Sequence, residues 1–395
     1  MKNVSVGDLE IAYVETGLAD GPPVVLLHGF PYDVHAYDTV AEILVASGYR
    51  CIVPYLRGGG PTRFLSENAR RSGEQAALGA DLLALLNALS IETAVLGGYD
   101  WGGRAACIVS ALWPERVRGL VSCGAGCNIQ NITQAGNPAP PDEEARLWYQ
   151  YYFHSDRGRA ALEKNRRSVC EFIWKIWSPT WAFDGQTFDR TAASFDNPDF
   201  VEVVIHSYKH RFGGVPGDPA LVGIESQLAE QPDIMVPTIV LLGADDGVTP
   251  PAPVDYDERH FKAAYERRIV HGAGHNLPQG APKLSHQLFS NCRENLKTRD
   301  VIGLNIASPD CGIGHREHLR LLYWSDPPHP ARHARRQPVR QQRPVRAEPG
   351  PHCSPYPRWV AINHWISLKP LQFPVPYQRT YSQPHIWRCA AAIPE

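Results

Sequence analysis

The chain has 395 residues, of which 43% are hydrophobic and 20% charged, with a formal net charge of -2. That is enough apolar material for a sizeable core, and the near-neutral balance argues against nucleic acid or an anionic membrane surface as the main partner. Apolar runs such as "PVVLLHGF" are too short to span a bilayer. The start, "MKNVSVGDLEIAYVETG", has no apolar signal-peptide core, so a cytoplasmic location is expected and the sequons at Asn3 and Asn131 read as chance matches.

Residues 1–126 alternate between strand-like and helix-like segments. "EIAYVETG" reads as an antiparallel strand, while "PPVVLLHG" and "RCIVPYL" are continuous apolar runs bounded by Gly or Pro, as in buried parallel strands. "SGEQAALGADLLALLNALS" has helical periodicity with a serine start signal. "ETAVLGGYD" is the next buried strand, "GGRAACIVSALWPERV" a helix of small residues stopped by Pro114, and "RGLVSCGA" a further strand. This rhythm predicts a doubly wound α/β sheet.

Residues 127–235 hold no convincing strand. They begin with the loop "GNPAPPDEE" and continue in aromatic helical pieces, "ARLWYQYYFH", "VCEFIWKIW" and "NPDFVEVVIHSYKHRFG". A helical insertion after a sheet strand reads as a lid over the carboxyl ends of the strands, where α/β proteins bind ligands. The core resumes over 236–296 with "PTIVLLGADD" and "YERRIVHGAGH". Residues 297–395, with "DPPHPARHARRQPVRQQRPVR", have neither strand nor helix period and the composition of a disordered, Pro/Arg-rich tail. An extension from out-of-frame or intron-derived translation fits it better than a ligand for SH3-like domains.

Nine cysteines make an odd count and read as reduced, buried thiols. Cys123 and Cys127 have no companion His or Cys pair to make a metal site. "RGGGPTR" lacks the Gly-Lys-Ser/Thr ending of a phosphate loop and reads as a plain loop after a strand.

The chemistry concentrates in "GGYDWGGR", residues 97–104, with the frame of a nucleophile elbow and Asp100 where Ser is usual. Gly98, Gly102 and Gly103 supply the small neighbours that a strained strand-to-helix turn needs; an N-capping Asp in an ordinary turn is the alternative. Upstream, a strand ends at His28-Gly29, so the backbone N–H groups of Phe30 and Trp101 can form an oxyanion hole. Downstream, Gly243-x-x-Asp246 ends a strand and His275 follows the last strand, giving the order nucleophile, acid, histidine. Asp246 is preferred to Asp245 for its spacing from Gly243, and His275 to His271 because Gly272 and Gly274 permit a tight turn.

Over about residues 5–290 the chain resembles the epoxide hydrolase branch of the α/β-hydrolases, close to haloalkane and fluoroacetate dehalogenases. The resemblance rests on His28-Gly29-Phe30-Pro31, on Tyr99-Asp100-Trp101-Gly102-Gly103, and on Asp246 and His275 in their contexts. It implies an α/β-hydrolase fold with a helical lid, and structural roles for His28, Gly29, Pro31, Gly98 and Gly102. In the lid it implies ring-opening tyrosines at Tyr149 in "WYQYYFH" and Tyr208 in "HSYKHRFG", with aromatic core packing as the alternative, and substrate contacts from Trp101 and Gln150. The chain departs from the family at Tyr55, where Asp is frequent, and at Gly280, where Glu is common.

A carboxylate nucleophile suits attack at saturated carbon, because the resulting alkyl ester of Asp100 can be hydrolysed by water that His275 and Asp246 activate. Epoxide opening is the expected reaction, dehalogenation the alternative, and a non-catalytic ligand receptor the second alternative. The fluoroacetate dehalogenases that the chain resembles hold a carboxylate with two Arg just after the nucleophile; this chain has Arg104 but Trp101 at the other place, which disfavours carboxylate substrates. Substrate and water are the expected partners, with no cofactor and no metal, and the oligomeric state stays open.

Overall fold

The computed structural model describes residues 1–281. The strands are β1 (Lys2–Val6), β2 (Leu9–Gly17), β3 (Pro23–Leu27), β4 (Arg50–Pro54), β5 (Arg63–Phe64), β6 (Ala94–Tyr99), β7 (Val117–Cys123), β8 (Thr238–Gly243) and β9 (Tyr265–Val270). They form one sheet in the order β1-β2-β4-β3-β6-β7-β8-β9, with β5 paired to β2. β1 and β5 pair with β2 antiparallel, and so does β4; from β4 onward every pairing is parallel. β6 and β8 are buried along their whole length, as continuous apolar runs in a two-sided parallel sheet require.

The helices between β1 and β7 are α1 (Asp38–Ala46), α2 (Gln75–Ala88) and α3 (Asp100–Leu112). α2 begins two residues later than its serine signal suggests. Its N-cap is Glu74, while the Ser72 hydroxyl bonds the Glu74 carboxylate and accepts from the Glu74 N–H. α2 and α3 approach closely because Gly79 faces Ile108; a Cβ on Gly79 would lie 2.4 Å from Ile108 Cγ2. Between β7 and β8 the chain is helical: α4 (Pro141–Arg146), α5 (Trp148–Tyr152), α6 (Asp156–Trp177), α7 (Gly185–Ala192), α8 (Phe200–Arg211) and α9 (Val222–Ala229). α10 (Val254–Glu258) and α11 (Leu277–Gly280) complete the described elements. The expected end of the core over 282–296 and the tail over 297–395 lie outside the described residues.

The helices inserted between β7 and β8 pack on the loop after β3. The Trp174 indole N–H donates to the Pro31 carbonyl at 2.8 Å, and its ring stacks on Tyr32 with centroids 4.7 Å apart. Asp33, 1% exposed, accepts from Thr191 Oγ1 at 2.9 Å, Ser194 Oγ at 2.6 Å and the His35 N–H at 3.0 Å. No helix among the described residues is long and apolar enough to cross a membrane.

Candidate active site

Because β3, β6, β8 and β9 run parallel, their carboxyl ends share one edge of the sheet, and the loops that follow bring His28–Pro31, Asp100, Asp246 and His275 together there. Asp100 opens α3 directly from β6 with φ of 50°, a left-handed conformation rare outside Gly. Its neighbours explain how the turn is tolerated. A Cβ on Gly98 would fall 2.5 Å from the Gly102 backbone, and one on Gly102 only 2.1 Å from the Leu27 carbonyl oxygen. From the other side the Asn128 side-chain amide donates to the Asp100 carbonyl at 2.6 Å and accepts from Arg104 Nη2 at 3.1 Å.

The two carboxylate oxygens of Asp100 differ. Oδ1 accepts the Phe30 backbone N–H at 2.7 Å, and Oδ2 lies 3.8 Å from His275 Nε2. Gly29 permits this approach, since a Cβ there would sit 2.3 Å from Asp100 Cβ. Trp101 occupies the first turn of α3, where backbone N–H groups have no intrahelical acceptor. His28 stays neutral: burial lowers its pKa, its Nε2 accepts the Leu56 N–H at 3.1 Å, and its Nδ1 bonds the Gly29 carbonyl. The Phe30–Pro31 peptide bond is cis.

His275 Nδ1 bonds Asp246 Oδ2 at 2.8 Å. Asp246 is fixed in turn by the Val248 and Thr249 N–H groups on Oδ1 and the Thr249 hydroxyl on Oδ2. Asp245 is less buried than Asp246, and His271 is exposed. Burial pulls the His275 pKa down, but the charge of Asp246, its hydrogen bond to Nδ1 and the nearby Asp100 carboxylate overcome it and bring the group up to about 10. Burial likewise opposes the Asp100 charge, yet His275, Arg104 and the Phe30 N–H hold its pKa below the ordinary 3.8.

Above this edge the helices supply an aromatic enclosure. The Tyr149 and Tyr208 rings meet edge-on with centroids 5.4 Å apart; Tyr208 also faces Trp101 at 5.9 Å, and Trp177 packs against His275 at 5.0 Å. The Tyr208 hydroxyl is buried with no hydrogen-bond partner, whereas the Tyr149 hydroxyl accepts from Gln150 Nε2 at 2.9 Å. Burial raises both phenols, Tyr149 to about 12, so both carry their protons at neutral pH. The indole N–H groups of Trp101 and Trp177 are also buried without partners. An apolar pocket of about 320 Å³, counting its open mouth, adjoins Phe30 and Trp101 and is walled by Phe200, Val203 and Val204 of α8.

Residues 22–278 match the family of the alpha/beta hydrolase fold. The chain belongs to that family. A crystal structure of a Klebsiella pneumoniae protein, provisionally assigned as an epoxide hydrolase, shares 44% identity with this hydrolase, with a TM-score of 0.73, covering 74% of this chain and 97% of that one. The AB hydrolase superfamily protein YfhM of Bacillus subtilis is 24% identical over 74% of this chain and 97% of its own length. Epoxide hydrolase B of Mycobacterium tuberculosis is 32% identical over 145 residues, so the match spans 34% of this hydrolase and 40% of that relative.

Sequence patterns did not single out Asn128, Thr249 or Trp177, which brace the elbow, the acid and the histidine of the hydrolase. Asn128 directly follows the Cys123-x-x-x-Cys127 pair, whose thiols are free; Cys127 neighbours Cys107 instead of a metal-ligand set. No spacing rule marks such supporting residues, because Asn128 and Thr249 act from loops and Trp177 from the end of α6, and the fold decides what each one meets.

Proposed function

We propose that this α/β-hydrolase opens epoxides through an alkyl ester of Asp100. The observation that carries the reading is the division of labour on Asp100: Oδ1 is held by the Phe30 N–H, and Oδ2 lies 3.8 Å from His275 Nε2. In the first step Oδ2 attacks an epoxide carbon, the carbon–oxygen bond breaks, and the alkoxide takes a hydrogen bond and then a proton from Tyr208 or Tyr149. In the second, water gives a proton to His275 Nε2 and its oxygen adds to the ester carbonyl, whose oxygen charge is met by Phe30 N–H and Trp101 N–H. Collapse releases the diol and restores the carboxylate, and the tyrosine recovers its proton from the imidazolium through solvent.

In this reading residues 127–235 are a cap between core segments 1–126 and 236–296. Gln150 orients the Tyr149 hydroxyl, and Trp101 forms a wall for the substrate. The epoxide hydrolase names of the Klebsiella and Mycobacterium relatives support the substrate class. The unpartnered Trp101 and Trp177 indole N–H groups favour a second reading, displacement of halide by the same two steps. Incubating the full-length protein with styrene oxide and with 1-chlorohexane separates them. Diol formation supports the first; chloride release without diol supports the second. Tight binding of either without turnover would make the fold a ligand receptor.

A further inference from the structure

A second cluster of chemically competent side chains lies away from Asp100. Glu74, at the start of α2, has a side chain only 1% exposed. Its Oε1 accepts from the Ser72 hydroxyl and the Asp218 N–H, each at 2.7 Å. Its Oε2 is buried and accepts nothing. His210 Nε2, near the end of α8, stands 3.4 Å from that oxygen with no hydrogen bond between them. Glu225 of α9 is the third member; one ligand atom from each of the three lies within 4.8 Å of the others. A buried carboxylate oxygen without a donor is costly, and buried charges are usually paired or bound to metal.

The space and the spacing both suit an ion. Gly217 closes the cluster: a Cβ there would fall 2.0 Å from Glu74 Oε2 and 2.9 Å from His210 Nε2. A glycine therefore keeps open the volume between the two donors. Zinc bonds of about 2.0–2.2 Å at a tetrahedral angle set neighbouring donors about 3.4 Å apart. The Glu74–His210 pair already has that separation, and the Glu225 ligand atom lies within 4.8 Å of both. Glu225 accepts from the Ala76 N–H and the Gln75 amide, which leaves each of its oxygens a free lone pair. Two carboxylates and a neutral imidazole balance a divalent charge. The nearby Arg57 does not, because its guanidinium is committed to Asp81 through Nε and Nη2, each at 2.7 Å. An imidazole among carboxylates suits zinc better than calcium or magnesium, which take all-oxygen sets.

We propose that Glu74, His210 and Glu225 bind one divalent zinc-class cation, with water as the remaining ligand. The ion ties α8 and α9 to the start of α2. Because α8 also carries Tyr208, two residues before His210, the site fixes the helix that presents this phenol to the active site. It is independent of the reaction assigned to Asp100.

The test is to strip full-length protein with EDTA, titrate it with zinc sulfate, and measure retained zinc by mass spectrometry after desalting, alongside the thermal midpoint. Wild-type protein should retain one more zinc per chain than Glu74→Gln or His210→Gln and gain several degrees on zinc addition, and both variants should lose that gain. Zinc bound elsewhere, by thiols or other histidines, cancels in the difference. Equal retention by wild type and His210→Gln, or no retention by wild type, overturns the proposal. If Glu74→Gln does not fold, His210→Gln decides, since His210 is only partly buried and its loss leaves no buried charge exposed to new neighbours.

Discussion

His275 Nε2 stands 3.8 Å from Asp100 Oδ2, and no hydrogen bond closes the gap. The distance keeps the imidazole close to the Asp100 carboxylate while leaving Nε2 free, in the proposed mechanism, to take a proton from a water beside the carboxyl carbon. It also couples the two charges. With Asp100 ionised, His275 is held up near pKa 10 and is a poor base at neutral pH. In the proposed mechanism Asp100 becomes an ester, its charge is gone, the coupling to it is lost, and His275 becomes a base when one is needed.

Replacing His275 with Gln should leave alkylation possible and stop ester breakdown. The hydrolytic step should slow by about 10²–10⁴, the usual contribution of general base catalysis. Mass spectrometry of the variant after reaction with styrene oxide should find one substrate mass on the peptide containing Asp100. An unmodified peptide, with product still formed, would mean that water attacks the substrate directly.

The same coupling sets a pH profile. Asp100, held below its ordinary pKa of 3.8, stays ionised from mildly acid to alkaline pH, so single-turnover alkylation should be flat from about pH 5 to 9. Ester hydrolysis should instead rise with pH and level off below 10, because esterification lowers His275. Stability follows from the free-enzyme value. The folded pKa of about 10 exceeds the ordinary 6.5, so the stabilising contribution of His275 is complete below pH 6.5 and is lost as pH rises through 10. Thermal midpoints across this range, in wild type and His275→Gln, measure that contribution; parallel curves for the two would contradict the shift.

Much of this geometry was legible in the sequence because glycines and strand ends record it locally. Gly98 and Asp100 mark a turn whose crowding against the Gly102 backbone is decided within five residues, and the apolar runs of β3, β6 and β8 place the loops after them on one edge. The two-residue β5 was invisible for the opposite reason, since a strand that short has no period. The start of α2 was read two residues early because Ser72 caps nothing and bonds Glu74 instead. Asn128 and Trp177 could not be read at all: their partners Asp100 and His275 are 28 and 98 residues away in sequence.

The two lid phenols should not be equivalent. Tyr208 has an uncommitted hydroxyl, whereas Tyr149 already accepts from Gln150. Tyr208→Phe should slow alkylation by epoxide by about 10²–10³, the loss of one preorganised donor, roughly 2.7–4 kcal/mol. Tyr149→Phe should slow it less, because its hydroxyl is already engaged by Gln150, and should also strand the Gln150 amide. The double variant should lose more than either single one, with 1-chlorohexane affected less than styrene oxide. Unchanged epoxide turnover in the double variant would remove the phenols from the mechanism.

Asp33 should matter for stability more than for chemistry. It accepts buried hydrogen bonds from Thr191 and Ser194 of the inserted helical region and a part-buried one from the His35 N–H. Asp33→Ala leaves two buried hydroxyls and the part-buried His35 N–H without their acceptor and should cost about 2–3 kcal/mol. Denaturant unfolding gives the cost directly. A loss below about 1 kcal/mol would mean that water replaces the carboxylate there.

Two glycines at the site should fail in different ways. Gly29→Ala sets a methyl group where Asp100 Cβ and Oδ1 now lie, at 2.3 and 2.6 Å. The obstruction is the end of one side chain, so Asp100 can swing aside at modest cost to the fold, but it then loses the Phe30 N–H and its line to His275. Gly102→Ala meets the Leu27 and His28 carbonyl oxygens at 2.1 and 2.4 Å. Those atoms belong to the backbone at the end of β3, so α3 must shift away from the sheet as a unit, and overpacking of that kind typically costs about 1–3 kcal/mol or more. Gly29→Ala should therefore unfold within a few degrees of wild type yet form the Asp100 adduct far more slowly, whereas Gly102→Ala should show a lowered thermal midpoint first and lost turnover as its consequence. Thermal unfolding of the two variants, read beside single-turnover alkylation on each, separates the outcomes. Full activity in Gly29→Ala would show that Asp100 is not held against this loop when it reacts.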